Sequence, residues 1–150
     1  MAVLLTFATS CSGSSGKTNT NGTGPTAGSG APPKSGELDK LMRTRMNVSY
    51  SQLVYLVFHA EGGPDFDAIS TESAKLSEAV NSVLSLQPPP IVQSDQARSV
   101  YVDYNETLRR DNEKFVAATA SRNIESMSTS LTKIGETCSA CHHFFRIEIK

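Results

Sequence analysis

From residue 37 onward, apolar residues recur at three- and four-residue steps, the spacing that gathers side chains on one face of an α-helix. Leu38, Leu41, Met42, Met46, Ser49, Leu53, Val57 and Ala60 form the first stripe, and Gly62-Gly63-Pro64 stops it, predicting a helix over about 37–60. Ile69, Leu76, Val80, Val83 and Leu84 predict a second helix over about 67–86, ended by the helix breakers Pro88-Pro89-Pro90. Ser94 or Asp95 can cap a third, with Ala97, Val100, Tyr101, Tyr104, Leu108, Phe115 and Ala118 on one face to about Ala120. Asn123 can cap a fourth, whose stripe is the longest in the chain: Ile124, Met127, Leu131, Ile134, Cys138, Cys141, His142, Phe145 and Ile149. No strand pattern competes. Four amphipathic helices with short connections predict an all-α fold, an antiparallel up-down four-helix bundle over 37–150 with each stripe turned to a shared core.

The first quarter of the chain is different. Residues 12–36 are Gly, Ser, Thr, Asn, Ala and Pro, with only Lys17 and Lys34 charged and no large apolar side chain, so this stretch has nothing to bury and is expected to be a disordered tether. As a flexible coil of roughly 25 residues it spans roughly 25–30 Å, enough to hold a small domain clear of a membrane surface. Residues 1–10 are signal-like. The apolar run Ala2-Val3-Leu4-Leu5-Thr6-Phe7-Ala8 leads through Thr9-Ser10 to Cys11 and resembles a bacterial lipoprotein signal, in which the cysteine becomes the mature N-terminus and its thiol takes a lipid. A run this short falls below the ~20 residues a transmembrane helix needs. A plain secretory signal, or a tail with an incidental cysteine, is the other reading of the same residues.

Composition narrows the partners. Lys and Arg number 14 against 15 Asp and Glu, so no charge excess calls for nucleic acid or an acidic membrane, and a membrane enters only through lipid on Cys11. The cysteines number 3, an odd set for a disulfide framework, with Cys11 far from the pair Cys138 and Cys141.

That pair sits in Cys138-Ser139-Ala140-Cys141-His142, the Cys-x-x-Cys-His spacing of covalent haem attachment. Haem c is held by two thioethers, formed from cysteine thiols and the haem vinyl groups, and by a histidine that ligates the iron. One stretch of helix supplies all three. Other chemistries use the same pair of cysteines. A thioredoxin-like dithiol places it at a helix N-terminus after a strand, whereas here it lies near a helix end with no strand before it. A zinc site needs four ligands, and beyond Cys138, Cys141 and either His142 or His143 the chain's other histidine is His59. A disulfide three residues apart on one helix ties nothing distant together.

Only residues 143–150 follow His142, so a second iron ligand must come from an upstream helix. Four helices with the haem motif on the last resemble the class II cytochromes c, cytochrome c′ and its cytochrome c-556 relatives. The resemblance covers 37–150. It is most specific at Cys138-Ser139-Ala140-Cys141-His142-His143-Phe144-Phe145-Arg146, which is similar to the family's Cys-Lys-x-Cys-His-x-x-Tyr/Phe-Arg. It implies one covalent haem c on Cys138 and Cys141, His142 as the proximal iron ligand, and Phe145 packed against haem or core. It also implies Arg146 beside the proximal ligand, a placement that a four-residue step on a continuing helix provides. A solvated arginine at the helix C-terminus is the plainer alternative for Arg146.

On the first helix the resemblance puts Met46 at the distal face of the iron, with Met42 one turn away as the fallback and core packing as the other role open to either. The family's arginine four residues before the distal residue has Met42 in its place here, with Arg43 and Arg45 as neighbours. His143 points away from the iron on a helical wheel, and His59 lies about 20 Å along the axis from Met46. The expectation is a carrier of single electrons, not an enzyme, on the periplasmic side of a bacterial cell envelope. It would serve a redox partner protein, and the resemblance extends to homodimers. The alternative is a cytochrome c′-like binder of NO or CO at an open distal face. A peroxidase is least favoured, since no acid–base group stands at the expected distal position.

Overall fold

The computed structural model describes residues 36–147, and these are all-helical with no strand among them. Helix α1 runs without a break through Gly36–Leu41, Met42–Met46 and Asn47–Phe58, its middle five residues wound as a π-helix. Helices α2 (Phe66–Val83), α3 (Asp95–Ala120) and α4 (Ile124–Phe145) follow. The expected segment 1–10, Cys11 and the tether up to residue 35 lie outside the described residues, while Gly36, expected to end the tether, is the first residue of α1.

Helix starts follow side-chain capping, in which an oxygen accepts from backbone N–H groups that have no partner in the first turn. Asp65 accepts from the Asp67 and Ala68 N–H groups at 3.1 and 3.0 Å. Ser94 accepts from Ala97 N–H at 3.1 Å, and Asn123 from Ser126 N–H at 2.9 Å.

Two of the helix ends share a device that the hydropathy pattern does not carry. After α3, Arg122 N–H donates to Thr119 O and Asn123 N–H to Ala118 O; after α4, Arg146 N–H donates to His143 O and Ile147 N–H to His142 O. Both are Schellman closures, and in each the residue at positive φ is an arginine, Arg122 at 52° and Arg146 at 51°. This corrects the expectation that the fourth helix runs on past Phe145; Ile149, expected on its stripe, lies outside the described residues. Arg146 itself takes the left-handed position that closes α4 and so is not part of a continuing helix.

The π-helical turn has a reason in the spacing of buried residues. Leu41 and Met46 are both buried but lie five residues apart, a step that on an α-helix rotates a side chain about 140° off the face. Winding through i→i+5 bonds, seen where Asn47 N–H donates to Met42 O, turns Met46 back toward the interior.

Helix α4 packs on α3 and α1, α3 on α2, and α2 on α1. The core where they meet holds Leu53, Ile69, Leu76, Val83, Phe115, Met127, Leu131 and Ile134, all essentially without exposure. Among the described residues no helix is long and apolar enough to cross a membrane.

Candidate functional site

A cavity of about 610 Å³ opens between α1, α3 and α4, within the ~300–1,000 Å³ range of small-molecule and cofactor sites. Met42, Met46 and Tyr50 line it from α1, Tyr101, Asn105 and Leu108 from α3, and Gly135, Cys138, Cys141 and His142 from α4. Residues from both ends of the described chain, expected to act together, therefore share one wall-to-wall space.

Helix packing fixes how these side chains are presented. Met46 is 5% exposed, so its sulfur is held in the interior, whereas Met42 is half-buried. Tyr50 reaches across to α4, where its hydroxyl makes a long hydrogen bond to Leu131 O at 3.5 Å. It can do so because residue 135 is glycine: a Cβ there would collide with the Tyr50 hydroxyl. From the other side, Thr137 Oγ1 lies 3.5 Å from Asp111 Oδ2 of α3, one residue before Cys138.

Burial also sets the protonation of the donors. The Cys138 thiol is pushed up to about 11 by burial and by the neighbouring Cys141, and the Cys141 thiol to about 11 by burial. At pH 7 the thiolate fraction of either is then on the order of 10⁻⁴. An activated dithiol needs the reverse, a lowered pKa at a helix N-terminus. Burial holds the His142 imidazole below its ordinary value, which keeps the ring neutral and its lone pair free at neutral pH. Its Nδ1 is buried and has no hydrogen-bond partner. Tyr50 and Tyr101 are both raised, each first by burial and then by a cysteine neighbour, Cys138 for Tyr50 and Cys141 for Tyr101.

Other residues singled out in the sequence stand elsewhere. Phe145 is buried but does not line the cavity; it packs edge-on against Tyr101 at 6.2 Å and Phe144 at 4.9 Å. Arg146 is exposed at the end of α4 and is absent from the cavity wall. His143 is exposed, and so is His59, at the C-terminus of α1 with its N–H donated to Tyr55 O at 2.9 Å. Arg43 is the arginine of α1 at the cavity edge, paired with Asp39 at 2.8 Å, while Arg45 turns to Glu78 of α2 at 2.7 Å.

Tyr50 had a signal in the sequence that went unused, the four-residue steps Met42, Met46, Tyr50. Asn105 had none, since a polar residue inside a stripe reads as an interruption.

Among the described residues no three His, Cys, Asp or Glu side chains are grouped to hold a metal ion, so the two thiols lack the further ligands of a four-ligand zinc site. The donors around the cavity are instead one neutral imidazole and two thioether sulfurs, with two thiols on its wall. Such soft and intermediate donors suit a transition metal, not a hard cation. No protein-family model matches the chain, and a search of curated proteins finds no match.

Proposed function

We propose that this protein is a c-type haem carrier of single electrons, holding one haem c covalently on Cys138 and Cys141 with His142 as the proximal iron ligand. The observation that carries the proposal is the shared cavity: both thiols, the imidazole and the thioethers of Met42 and Met46 line one space of about 610 Å³. The two thiols are free and three residues apart on one helix, the spacing of thioether attachment at two neighbouring vinyl groups. An antiparallel up-down bundle is part of the same proposal. Its support is that successive helices pack on one another across short connections and the last also packs on the first.

When bound, the haem supplies an Fe(III)/Fe(II) couple. The chain's part would be to hold it, to surround it with a largely apolar wall, and to offer iron the neutral imidazole of His142 and the buried sulfur of Met46. Met46 is the preferred distal ligand because it is the deeper of the two methionines; thioether ligation raises the potential, which suits a carrier.

Absorption spectra of the oxidised and reduced protein, with and without CO, test this. The unmutated protein should be low-spin and bind CO sluggishly, with a weak far-red band that disappears in Met46→Ala. A high-spin spectrum with ready CO binding would leave Met46 as packing and favour the NO- or CO-binding alternative.

The proposal extends to location: a lipid on Cys11, which lies outside the described residues, would hold the domain at the periplasmic face of a bacterial envelope, within reach of a redox partner protein. A homodimer is compatible with it, and no nucleic acid is involved. Mass spectrometry of the mature N-terminus should find diacylglycerol on Cys11, and a soluble product that begins elsewhere would contradict it.

A further inference from the structure

The Asn47–Phe58 stretch of α1 packs on α4, whereas the π-wound turn that carries Met42 and Met46 packs on α2. The cavity lined by Met42, Met46, Cys138 and His142 lies between that turn and α4. Tyr50 stands where the two helices part. It follows Met46 by one helical turn, and its ring reaches over to Gly135, which precedes Cys138 by about one turn.

Gly135 lies inside α4 without a positive φ, and a glycine in a helix interior weakens the helix relative to alanine. The position gains room instead. A Cβ at residue 135 would collide with the Tyr50 hydroxyl and stand 3.2 Å from the ring's Cζ. The hydrogen bond from that hydroxyl to Leu131 O is long, at 3.5 Å, and holds the phenol only weakly. The close fit of the ring tip against the bare backbone of Gly135 is therefore what defines the contact. Tyr50 has little freedom to withdraw, because Met46 one turn before it and Leu53 one turn after it are both buried, which keeps α1 from rolling.

We propose that Tyr50 and Gly135 are a positioning pair whose contact sets how closely α1 approaches α4 beside the cavity, and thereby whether the Met46 sulfur reaches the iron. This rests on the haem reading above and deepens it. The pair acts through Met46: the sulfur sits one turn from the contact on α1, and the attachment cysteines begin one turn from it on α4. A displacement of the two helices at this point is passed over a single turn on each side to the distance between sulfur and iron, and a ligand held a little too far away is no ligand.

The test uses the full-length holoprotein and compares Gly135→Ala, Gly135→Ala/Tyr50→Phe and Tyr50→Leu with the unmutated chain. Thr129→Ala, an alanine replacement at an exposed position of α4 away from the cavity, is the control. Haem content and helical circular dichroism are measured on each, then the far-red band, the spin state and the rate of CO binding. In Gly135→Ala the ratio of low-spin to high-spin protein should fall by about tenfold, the size expected of an overpacked contact, and CO should bind faster, with haem content unchanged. Gly135→Ala/Tyr50→Phe should restore the band, because the atom that the new Cβ strikes is gone. Tyr50→Leu withdraws the ring without adding an atom to α4 and should weaken the band by itself, a readout that stands even if Gly135→Ala fails to fold. Thr129→Ala should change nothing. A band kept by Gly135→Ala, lost but not restored in the double variant, or unaltered in Tyr50→Leu overturns the inference. Unmutated protein without haem, or without the far-red band, fails the functional reading and this inference with it, whereas a low-spin unmutated protein whose band ignores these substitutions fails this inference alone.

Discussion

Cys138→Ser/Cys141→Ser, made beside the unmutated chain in a host that matures c-type cytochromes, should contain no covalently attached haem. The single variants should each keep at most one thioether and an absorption maximum displaced toward that of haem with a free vinyl group. Serine preserves size and polarity but cannot form the thioether. The two positions are half-buried on α4, so the change removes little packing. The expected loss is complete rather than partial, and it is read as haem extractable by acidified acetone. Covalent haem that survives the double replacement would place the attachment elsewhere. A redox dithiol would show different behaviour altogether, with rapid alkylation at neutral pH. In the haem-free chain the two thiols, pushed up to about 11, should instead alkylate slowly at pH 7 and faster as the pH rises toward that value, and in the matured protein they should not alkylate.

Phe115→Ala should be the most destabilising single core change, costing about 3–5 kcal/mol. Phe115 lies on α3 with 0% exposure and is among the largest fully buried side chains. Its truncation removes an aromatic ring from the middle of the core and leaves a space that three packed helices cannot fill without moving. That loss is a large share of the ~5–15 kcal/mol that holds a typical domain together. Denaturant unfolding of the holoprotein measures it. Haem content should be unchanged, because thioether attachment does not depend on the stability that remains once the chain is mature. A cost below about 1 kcal/mol would contradict the packing of α3 described here.

Most helix positions are legible in the chain because their signals are local. Ser94 and Asn123 announce α3 and α4 through their own side chains, and Pro88-Pro89-Pro90 forbids any continuation of α2. The ends that are not legible depend on backbone conformation without a marker residue. Arginine is an unusual occupant of the left-handed region, where glycine or asparagine is expected, so neither Arg122 nor Arg146 reads as a stop. The same reason hides that Arg146 closes α4 instead of continuing it. The π-helical turn leaves no mark in the stripe, since Met42 to Met46 is an ordinary four-residue step; it shows only once Leu41 and Met46 are known to be buried together.

For the site, the Cys138–His142 motif is legible because it is contiguous, and Met46 because it sits on an apolar stripe. Tyr101 is legible as an apolar position, and the fold buries it edge-on against Phe145. Asn105 and Asn112, seven residues apart on the inner face of α3, look like breaks in a hydrophobic pattern until their burial is known.

The central claim is covalent haem on the cysteines of α4, and a pyridine haemochrome assay of the unmutated protein, purified from a host competent to mature cytochromes c, tests it most directly. The account predicts a c-type reduced band equivalent to one haem per chain, retained after acidified-acetone extraction; protein without that band, or with haem that leaves into the solvent, would contradict it.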